Sequence, residues 1–133
     1  MKYLHYLLFM LVLSFLTSCN QNVEIKVTGK PEMHFETLEH SFDTINFKDN
    51  AKFSFKFSNI GDQPLIINEV IPSCGCTATE FSKAPIKAGE TGVIKVKYDT
   101  KRIGMFYKTI KVYTNSQDEA IVLKIKGFVK NNE

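Results

Sequence analysis

Lys52-Phe53-Ser54-Phe55-Lys56-Phe57-Ser58 is the stretch that decides the fold, because aromatic and polar side chains alternate along it without a break. Successive side chains of a β-strand point to opposite faces, so the three phenylalanines share one face and the lysines and serines share the other. The stretch therefore predicts a strand with one face buried in a core and one face in water.

The same period-two pattern recurs on both sides of this strand, between short turn sequences rich in Gly, Pro, Asn and Asp. Further strands are predicted at residues 33–36, 41–46, 65–71, 93–98, 105–114 and 120–129. About seven short strands without a convincing amphipathic helix predict an all-β fold, namely an immunoglobulin-like antiparallel β-sandwich. A small β-barrel is the alternative, because counting strands does not separate the two architectures.

The N-terminal residues predict an export signal that lies outside the folded domain. Lys2 is followed by an apolar run over residues 3–16, and Leu16-Thr17-Ser18-Cys19 closes the run. This order resembles the bacterial lipoprotein signal, in which the peptide is cut before a cysteine that then carries acyl chains. The run is too short for a transmembrane helix, which needs about 20 apolar residues. We therefore predict lipidation at Cys19.

The predicted organisation has three parts: a lipoprotein signal peptide at 1–18, a flexible tether at 19–31 and a single domain at 32–133. The lipid would hold the domain at the cell envelope. Asn20, rather than an aspartate, follows the acylated cysteine. An aspartate there would favour retention in the inner membrane, so we predict the outer membrane, with the domain facing the periplasm or the cell surface.

The charge balance is mild, with 17 Lys and Arg against 14 Asp and Glu and a formal net charge of +3. This balance does not indicate a nucleic-acid-binding protein. Lysines alternate with core residues on the strands at 93–98, 108–111 and 124–126, which predicts a solvated outer face that also discourages edge-to-edge pairing of strands. The alternative is a surface for anionic glycans or lipid head groups.

The segment Pro72-Ser73-Cys74-Gly75-Cys76-Thr77 is chemically the most distinctive part of the chain. In an extended strand, two cysteines separated by one residue have Cα atoms about 7 Å apart, at the limit for a disulfide. A bridge therefore needs a turn, which Gly75 permits, and an oxidising compartment favours the bridge. Ser73, Gly75 and Thr77 are predicted to support the loop around Cys74 and Cys76.

Three interpretations of the cysteine pair remain open at this point. The first is a structural ring that pins the loop, and the second is a redox-active dithiol. The third is a soft-metal site, for example for Cu(I), although only His34 and His40 remain after the signal peptide as further nitrogen ligands. We interpret both histidines as surface or rim residues, and we predict no resident metal and no cofactor.

A set of short motifs, in a fixed order, identifies a family. The motifs are Asn59-Ile60-Gly61, Pro64-Leu65, Ser73-Cys74-Gly75-Cys76-Thr77, Pro85-Ile86, Gly89-Glu90, Tyr98-Asp99, Lys108-Thr109-Ile110 and Thr114-Asn115. From about residue 42 to 129 the chain resembles the bacterial domain of unknown function 1573 family, common among envelope lipoproteins of Bacteroidetes. The resemblance implies an immunoglobulin-like sandwich related to PapD-type domains and implies no activity. The chain departs from the pattern at Asp43, where Phe-Gly is common, and at Ala88, which replaces a proline.

The functional prediction is a non-enzymatic binding or scaffold module at the membrane. The sequence has no Ser, His and acid constellation, no Gly-rich phosphate loop and no paired metal-ligand motif. A protein partner would be recognised by loop contacts or by addition of a strand at a sheet edge, and we expect no nucleic-acid partner. The alternative function is a thiol-redox or copper accessory protein that acts through Cys74 and Cys76.

Overall fold

A computed structural model describes Tyr3 and residues 29–131 of the chain. The predicted signal peptide, the lipidation site Cys19 and the tether up to residue 28 lie outside these described residues, apart from Tyr3. Within the part that is described, no helix has the length and apolar character needed to cross a membrane.

The described chain forms eight strands in two four-stranded sheets. The strands are β1 (Met33–Phe35), β2 (Glu39–Asn46), β3 (Ala51–Asn59), β4 (Ile67–Pro72), β5 (Thr77–Phe81), β6 (Thr91–Tyr98), β7 (Gly104–Thr114) and β8 (Gln117–Lys130). One sheet has the order β1-β3-β6-β5 and the other the order β2-β8-β7-β4. The prediction of an all-β fold is confirmed, and the two separate sheets make a sandwich rather than a closed barrel.

Two details of the predicted sandwich are wrong. The sequence predicts about seven strands, whereas β5 adds an eighth. Its sequence Thr-Ala-Thr-Glu-Phe has too few large apolar residues to stand out from a loop. The arrangement is also not wholly antiparallel, because β2 pairs with β8 in parallel. Alternation along a strand reports which face is buried and carries no information on the direction of the neighbouring strand.

The pairing of β2 with β8 shifts register between Ser41 and Thr44. At this shift Asp43 adopts a left-handed backbone conformation with φ of +51°. Aspartate is among the few non-glycine residues that tolerate this region, and here the Ser41 hydroxyl accepts a hydrogen bond from the Asp43 backbone N–H at 3.2 Å. A glycine would adopt the same conformation without strain, which is consistent with the Phe-Gly pattern of the family that the sequence resembles.

The core lies between the inner faces of the two sheets. The largest fully buried side chains include Phe55, Ile94 and Val96 from one sheet and Ile110, Leu123 and Ile125 from the other. In β3, Phe55 and Phe57 are buried and Phe53 is half-buried, whereas the polar face is exposed or half-buried. The predicted strand is therefore confirmed, with its phenylalanine face turned to the core.

The sandwich has two distinct ends. The chain enters at the end where Met33 pairs with Asn59 and where β6 begins, and we call this the proximal end. Lys30 and Glu32 are hydrogen-bonded there to the turn that follows β3. The opposite end, where β3 begins at Ala51 beside Tyr98, is the distal end. At about 3.4 Å of rise per residue, the eight residues of β6 separate the two ends by roughly 24 Å.

Candidate functional site

The loop that carries the two cysteines lies at the distal end and crosses between the sheets. It joins β4, an edge strand of one sheet, to β5, an edge strand of the other. Only residues 73–76 separate these two strands. Because so few residues make the crossing, the end of β4 and the start of β5 must lie close together.

Cys74 and Cys76 are joined in the structure as a disulfide, with Cα atoms 5.2 Å apart. The chain turns to achieve this, since the backbone N–H of Thr77 donates to the carbonyl of Cys74 at 3.3 Å. Cys76 is buried, Cys74 is half-buried, and Gly75 between them is exposed. A Cβ added at Gly75 would meet no atom within 4 Å, so the space above the loop is open.

Ser73 and Thr77 hold the two ends of this loop. The backbone N–H of Ser73 donates to the carbonyl of Thr109 at 2.9 Å, and the Ser73 hydroxyl accepts from the N–H of Thr109 at 3.2 Å. Thr77 is buried, and its hydroxyl lies 3.9 Å from the sulfur of Cys74. The carbonyl of Cys76 accepts from the N–H of Asp99 at 2.8 Å. The loop is thus attached to both sheets.

Two further loops lie beside the cysteine loop and are hydrogen-bonded to each other. The Thr100 hydroxyl donates to the carbonyl of Asp49 at 2.7 Å, and the N–H of Lys48 donates to the carbonyl of Thr100 at 3.4 Å. Together with the bond from Asp99 to Cys76, these contacts connect all three segments. We call residues 47–50, 73–76 and 99–103 the distal loop cluster.

An aromatic pair supports the distal loop cluster from inside the sandwich. Tyr98, the last residue of β6, stacks on Phe106 of β7 with ring centroids 3.8 Å apart and planes 13° from parallel. Both side chains are almost fully buried, and burial raises the pKa of Tyr98. The pair joins the two sheets directly below the segment 99–103.

The surface beside the distal loop cluster carries a small surplus of positive charge. A depression of about 520 Å³ lies beside Gly75 and Cys76, and Ala78, Tyr98 and Thr100 contribute to its wall. Its charged lining residues are Lys48, Lys97 and Lys101, with Asp49 and Asp99. An open depression with surplus positive charge is suited to binding an anionic group from solution.

The arrangement of the sulfurs favours a structural role over thiol exchange. Cys74 is the more exposed of the two cysteines, because it is half-buried whereas Cys76 is only 6% exposed. Attack of an external thiolate on Cys74 would expel the thiolate of Cys76 into a buried position, which disfavours a charged leaving group. Attack on Cys76 would release the thiolate of Cys74, which lies beside the Thr77 hydroxyl. Cys76, however, is the less accessible of the two cysteines.

In the part of the chain that the structure describes, the two cysteines have no partners that would complete a metal site. Across residues 29–131, no group of three or more His, Cys, Asp or Glu side chains is placed to hold a metal ion. His34 is exposed on β1, and His40 is half-buried on β2. Neither histidine belongs to the distal loop cluster.

His40 has a packing role. Its imidazole stacks on Phe53 with centroids 3.7 Å apart and contacts the edge of Phe42 at 4.6 Å. Because Phe53 belongs to the other sheet, this contact joins β2 to β3. Burial lowers the pKa of His40, although Asp43 acts in the opposite direction.

We expect acidification to destabilise the domain through His40. The pKa of this histidine is lower in the folded than in the unfolded state, so its contribution is fully present above about pH 6.5 and is lost as pH falls towards the folded pKa. The melting temperature of the wild type should therefore decrease between pH 7 and pH 5 more than that of His40→Gln. His34→Gln, at an exposed position, is the control. An equal pH dependence in wild type and His40→Gln would contradict this assignment.

The sequence predicts the cysteine loop but not most of the residues that surround it. Lys48, Tyr98 and Thr100 lie far from Cys74 in the sequence and reach it only through the sheet topology. The motif Tyr98-Asp99 is the one local signal, because an aromatic residue followed by an aspartate in a turn indicates where β6 ends and the next loop begins.

Comparison with known proteins gives one family and several similar folds. The family model described as a protein of unknown function (DUF1573) matches residues 33–129. A protein of unknown function from Porphyromonas gingivalis W83 is 16% identical with a TM-score of 0.64, and the match covers 75% of this chain and 46% of that one. The chain thus spans less than half the length of that protein. No curated protein matches the chain.

Two other solved structures resemble the domain at lower identity. The ASH / PapD-like domain 7 of human CEP192 is 8% identical with a TM-score of 0.65, and the match covers 78% of this chain and 89% of that domain. The secreted serine protease VesC from Vibrio cholerae is 8% identical with a TM-score of 0.56, over 73% of this chain and 23% of the protease. At such identities the likeness concerns the fold alone.

Proposed function

The chain belongs to the DUF1573 family, and from that premise we propose that it is a non-enzymatic envelope lipoprotein whose immunoglobulin-like domain binds a protein partner through the distal loop cluster. The observation that carries this proposal is the placement of the two ends. The chain enters the domain at the proximal end, and the cluster lies roughly 24 Å away at the other end of β6. A domain attached through Cys19 would therefore present the cluster away from its membrane.

The construction of the distal loop cluster supports a binding role. Loops carry recognition where a rigid scaffold positions them, and here the scaffold is two sheets joined by the Tyr98–Phe106 stack. The disulfide closes a ring of three residues, for which the loop-entropy relation gives only about 1.6 kcal/mol. A bridge that adds so little global stability is better explained by the local order it imposes on an exposed loop.

Thiol-redox or copper chemistry through Cys74 and Cys76 is the rival function and has less support. Exchange at the accessible sulfur would release a buried thiolate, as described above. Two thiolates alone are a minimal soft-metal site, and within the described part of the chain no further ligand is grouped with them.

Site-specific photo-cross-linking tests the proposal in the native envelope. A photoreactive residue at Gly75, where the space is open, is expected to yield a discrete protein adduct in cells that express the full chain. The same residue at Ala88, exposed in a turn at the proximal end, is the matched control and should yield none.

Mass spectrometry of the N-terminal peptide checks the anchor, because a chain that retained Met1 would remove the premise of membrane attachment.

The double variant Cys74→Ser/Cys76→Ser separates the two candidate functions. We expect it to lose about 1.6 kcal/mol of unfolding free energy and to give a lower yield of the adduct at position 75. Equal adducts from positions 75 and 88, or none from either, would reject the binding proposal. A variant that keeps the adduct but loses an envelope function would favour the redox rival.

A further inference from the structure

Two lysines face each other on the outer surface of the β1-β3-β6-β5 sheet. Lys52 of β3 and Lys97 of β6 are register partners, and both side chains are exposed. The N–H of Asp99 bonds to the carbonyl of Cys76, the residue directly before β5. Backbone groups alternate in direction along a strand, so the backbone of Lys97, two residues earlier, is directed at its β5 partner Ala78. The pair with Lys52 then occupies a non-hydrogen-bonded position, where facing side chains come closest. Like charges in this arrangement destabilise a sheet.

Register partners on β3, β6 and β5 form rows of side chains across the sheet. In the row next to Lys52 and Lys97, the charge of a lysine is compensated by an acidic neighbour. Lys95 forms an ion pair with Glu80 of β5 at 2.9 Å and faces Ser54 of β3. In the row of Lys97, the β5 position is occupied by Ala78. The unpaired row is the one beside the cysteine loop, since Ala78 follows Cys76 by two residues. The chain therefore leaves positive charge uncompensated where the distal loop cluster begins.

This row is continuous with the depression at the distal loop cluster. Ala78 and Lys97 line both that depression and a second one of about 460 Å³ along the outer face of the sheet. Lys48 and Lys101 lie at the loop end of the combined surface, and Lys52 lies at its sheet end. We call the surface formed by Lys48, Lys52, Lys97, Lys101 and Ala78 the basic groove.

The two aspartates beside the basic groove are already engaged in turns. The Asp49 carboxylate accepts hydrogen bonds from the backbone and side-chain nitrogens of Asn46 at 2.8 and 2.9 Å. The Asp99 carboxylate accepts from the N–H of Lys101 at 3.1 Å. Among residues 29–131, no ion pair is formed by Lys52, Lys97 or Lys101. These three lysines can therefore meet an external anion without breaking an ion pair, and the fourth, Lys48, lies over the ring of Phe47 at 5.1 Å.

The edge of β5 favours a peptide over other anions. Because Cys76 directs its carbonyl at β6, alternation turns the backbone groups of Thr79 and Phe81 away from β6. These groups lie at the edge of the sheet, where an added extended chain can hydrogen-bond with them. An acidic side chain placed beside Ala78 would reach over the small methyl group towards Lys97.

We propose that the basic groove binds an extended acidic segment of the partner protein. The inference rests on the proposed function and gives its partner a chemical class. Carboxylates would compensate the Lys52–Lys97 pair, and the backbone of the segment would add to the edge of β5. A phosphate or a sulfated glycan has the charge but not the backbone groups.

The test uses a fluorescent peptide of alternating Glu and Thr and the same peptide with Gln in place of Glu. Fluorescence polarisation at low salt should show binding of the Glu peptide only. Lys52→Gln/Lys97→Gln is expected to weaken that binding about tenfold. Lys111→Gln/Lys124→Gln, which removes the same charge from the other sheet, is the matched control and should change binding by less than about twofold.

Equal binding of the two peptides, or equal loss in the two double variants, would overturn the inference. Inorganic phosphate and dextran sulfate are the competing anions. If either binds in a manner that depends on Lys52 and Lys97 while the Glu peptide does not bind, the assignment to a peptide is wrong. An adduct at position 75 that persists in Lys52→Gln/Lys97→Gln, without peptide binding, would reject this inference and leave the proposed function standing.

Discussion

Substitution of Asn59 by alanine is expected to lower the free energy of unfolding by about 3–4 kcal/mol. Asn59 is fully buried and uses its whole amide. Its Oδ1 accepts from the N–H of Gly61 at 3.1 Å and of Glu32 at 3.2 Å, and its Nδ2 donates to the carbonyls of Gln63 at 2.7 Å and Ile86 at 3.0 Å. Alanine would leave four backbone groups without this partner. The contact with Ile86 is buried and the other three are half-buried, so water would replace the lost amide only in part.

The position of Asn59 makes the loss larger than that of a single hydrogen bond. The amide joins three segments of the proximal end: the entering chain, the turn after β3 and the segment that precedes β6. Gly61 contributes through its size, because a Cβ there would overlap the backbone of Lys30 and Glu32. The motif Asn59-Ile60-Gly61 is therefore explained as the attachment of the entering chain to the sandwich.

Urea denaturation measures this effect, and Asn115→Ala is the matched control. Asn115 also bridges two segments, since its Oδ1 accepts from the N–H of Ile66 at 2.8 Å and its Nδ2 donates to the carbonyl of Pro64 at 3.0 Å. It is exposed, so water replaces the lost partners and the expected loss is about 1 kcal/mol. Similar losses for Asn59→Ala and Asn115→Ala would show that burial does not set the energy.

The sequence predicts the strands well where one face is buried and the other is wet. In β3 the inward face carries Phe55 and Phe57 and the outward face carries Lys52 and Lys56, so the alternation reports burial directly. The strand β5 is not found by this pattern, because two of its three inward positions are threonines and only Phe81 is a large apolar residue. The parallel direction of β2 is also not predicted by the alternation. Pairing direction depends on where the chain crosses between sheets, and local alternation does not report it.

The candidate site was predictable in its chemistry but not in its surroundings. The spacing of Cys74 and Cys76 indicates a turn and a possible bridge from local geometry alone. The contact of Thr100 with Asp49 and the facing pair of Lys52 and Lys97 depend on long-range strand pairing. A sequence pattern of period two places lysines on a face, and only the register shows which of them lack an acidic neighbour.

Substitution of Phe106 by alanine is expected to lower the free energy of unfolding by about 3–5 kcal/mol, the usual range for a buried phenylalanine that leaves a cavity. Phe106 is 4% exposed and is stacked on Tyr98, the residue from which the segment 99–103 departs. Without this ring, Tyr98 loses its support in the core. The hydrogen bond from Asp99 to Cys76 should then weaken, and the distal loop cluster should lose order.

Two measurements on the same variants separate global stability from this local support. Phe128→Ala is the control, because Phe128 lies on the neighbouring strand but is 43% exposed, and its loss should be about 1 kcal/mol. Below the melting temperature of Phe106→Ala, where the domain remains folded, cross-linking from position 75 should fall well below that of Phe128→Ala. If Phe106→Ala loses stability but keeps full cross-linking while folded, the aromatic pair stabilises the core without ordering the loops, and the cluster must be held by its hydrogen bonds alone.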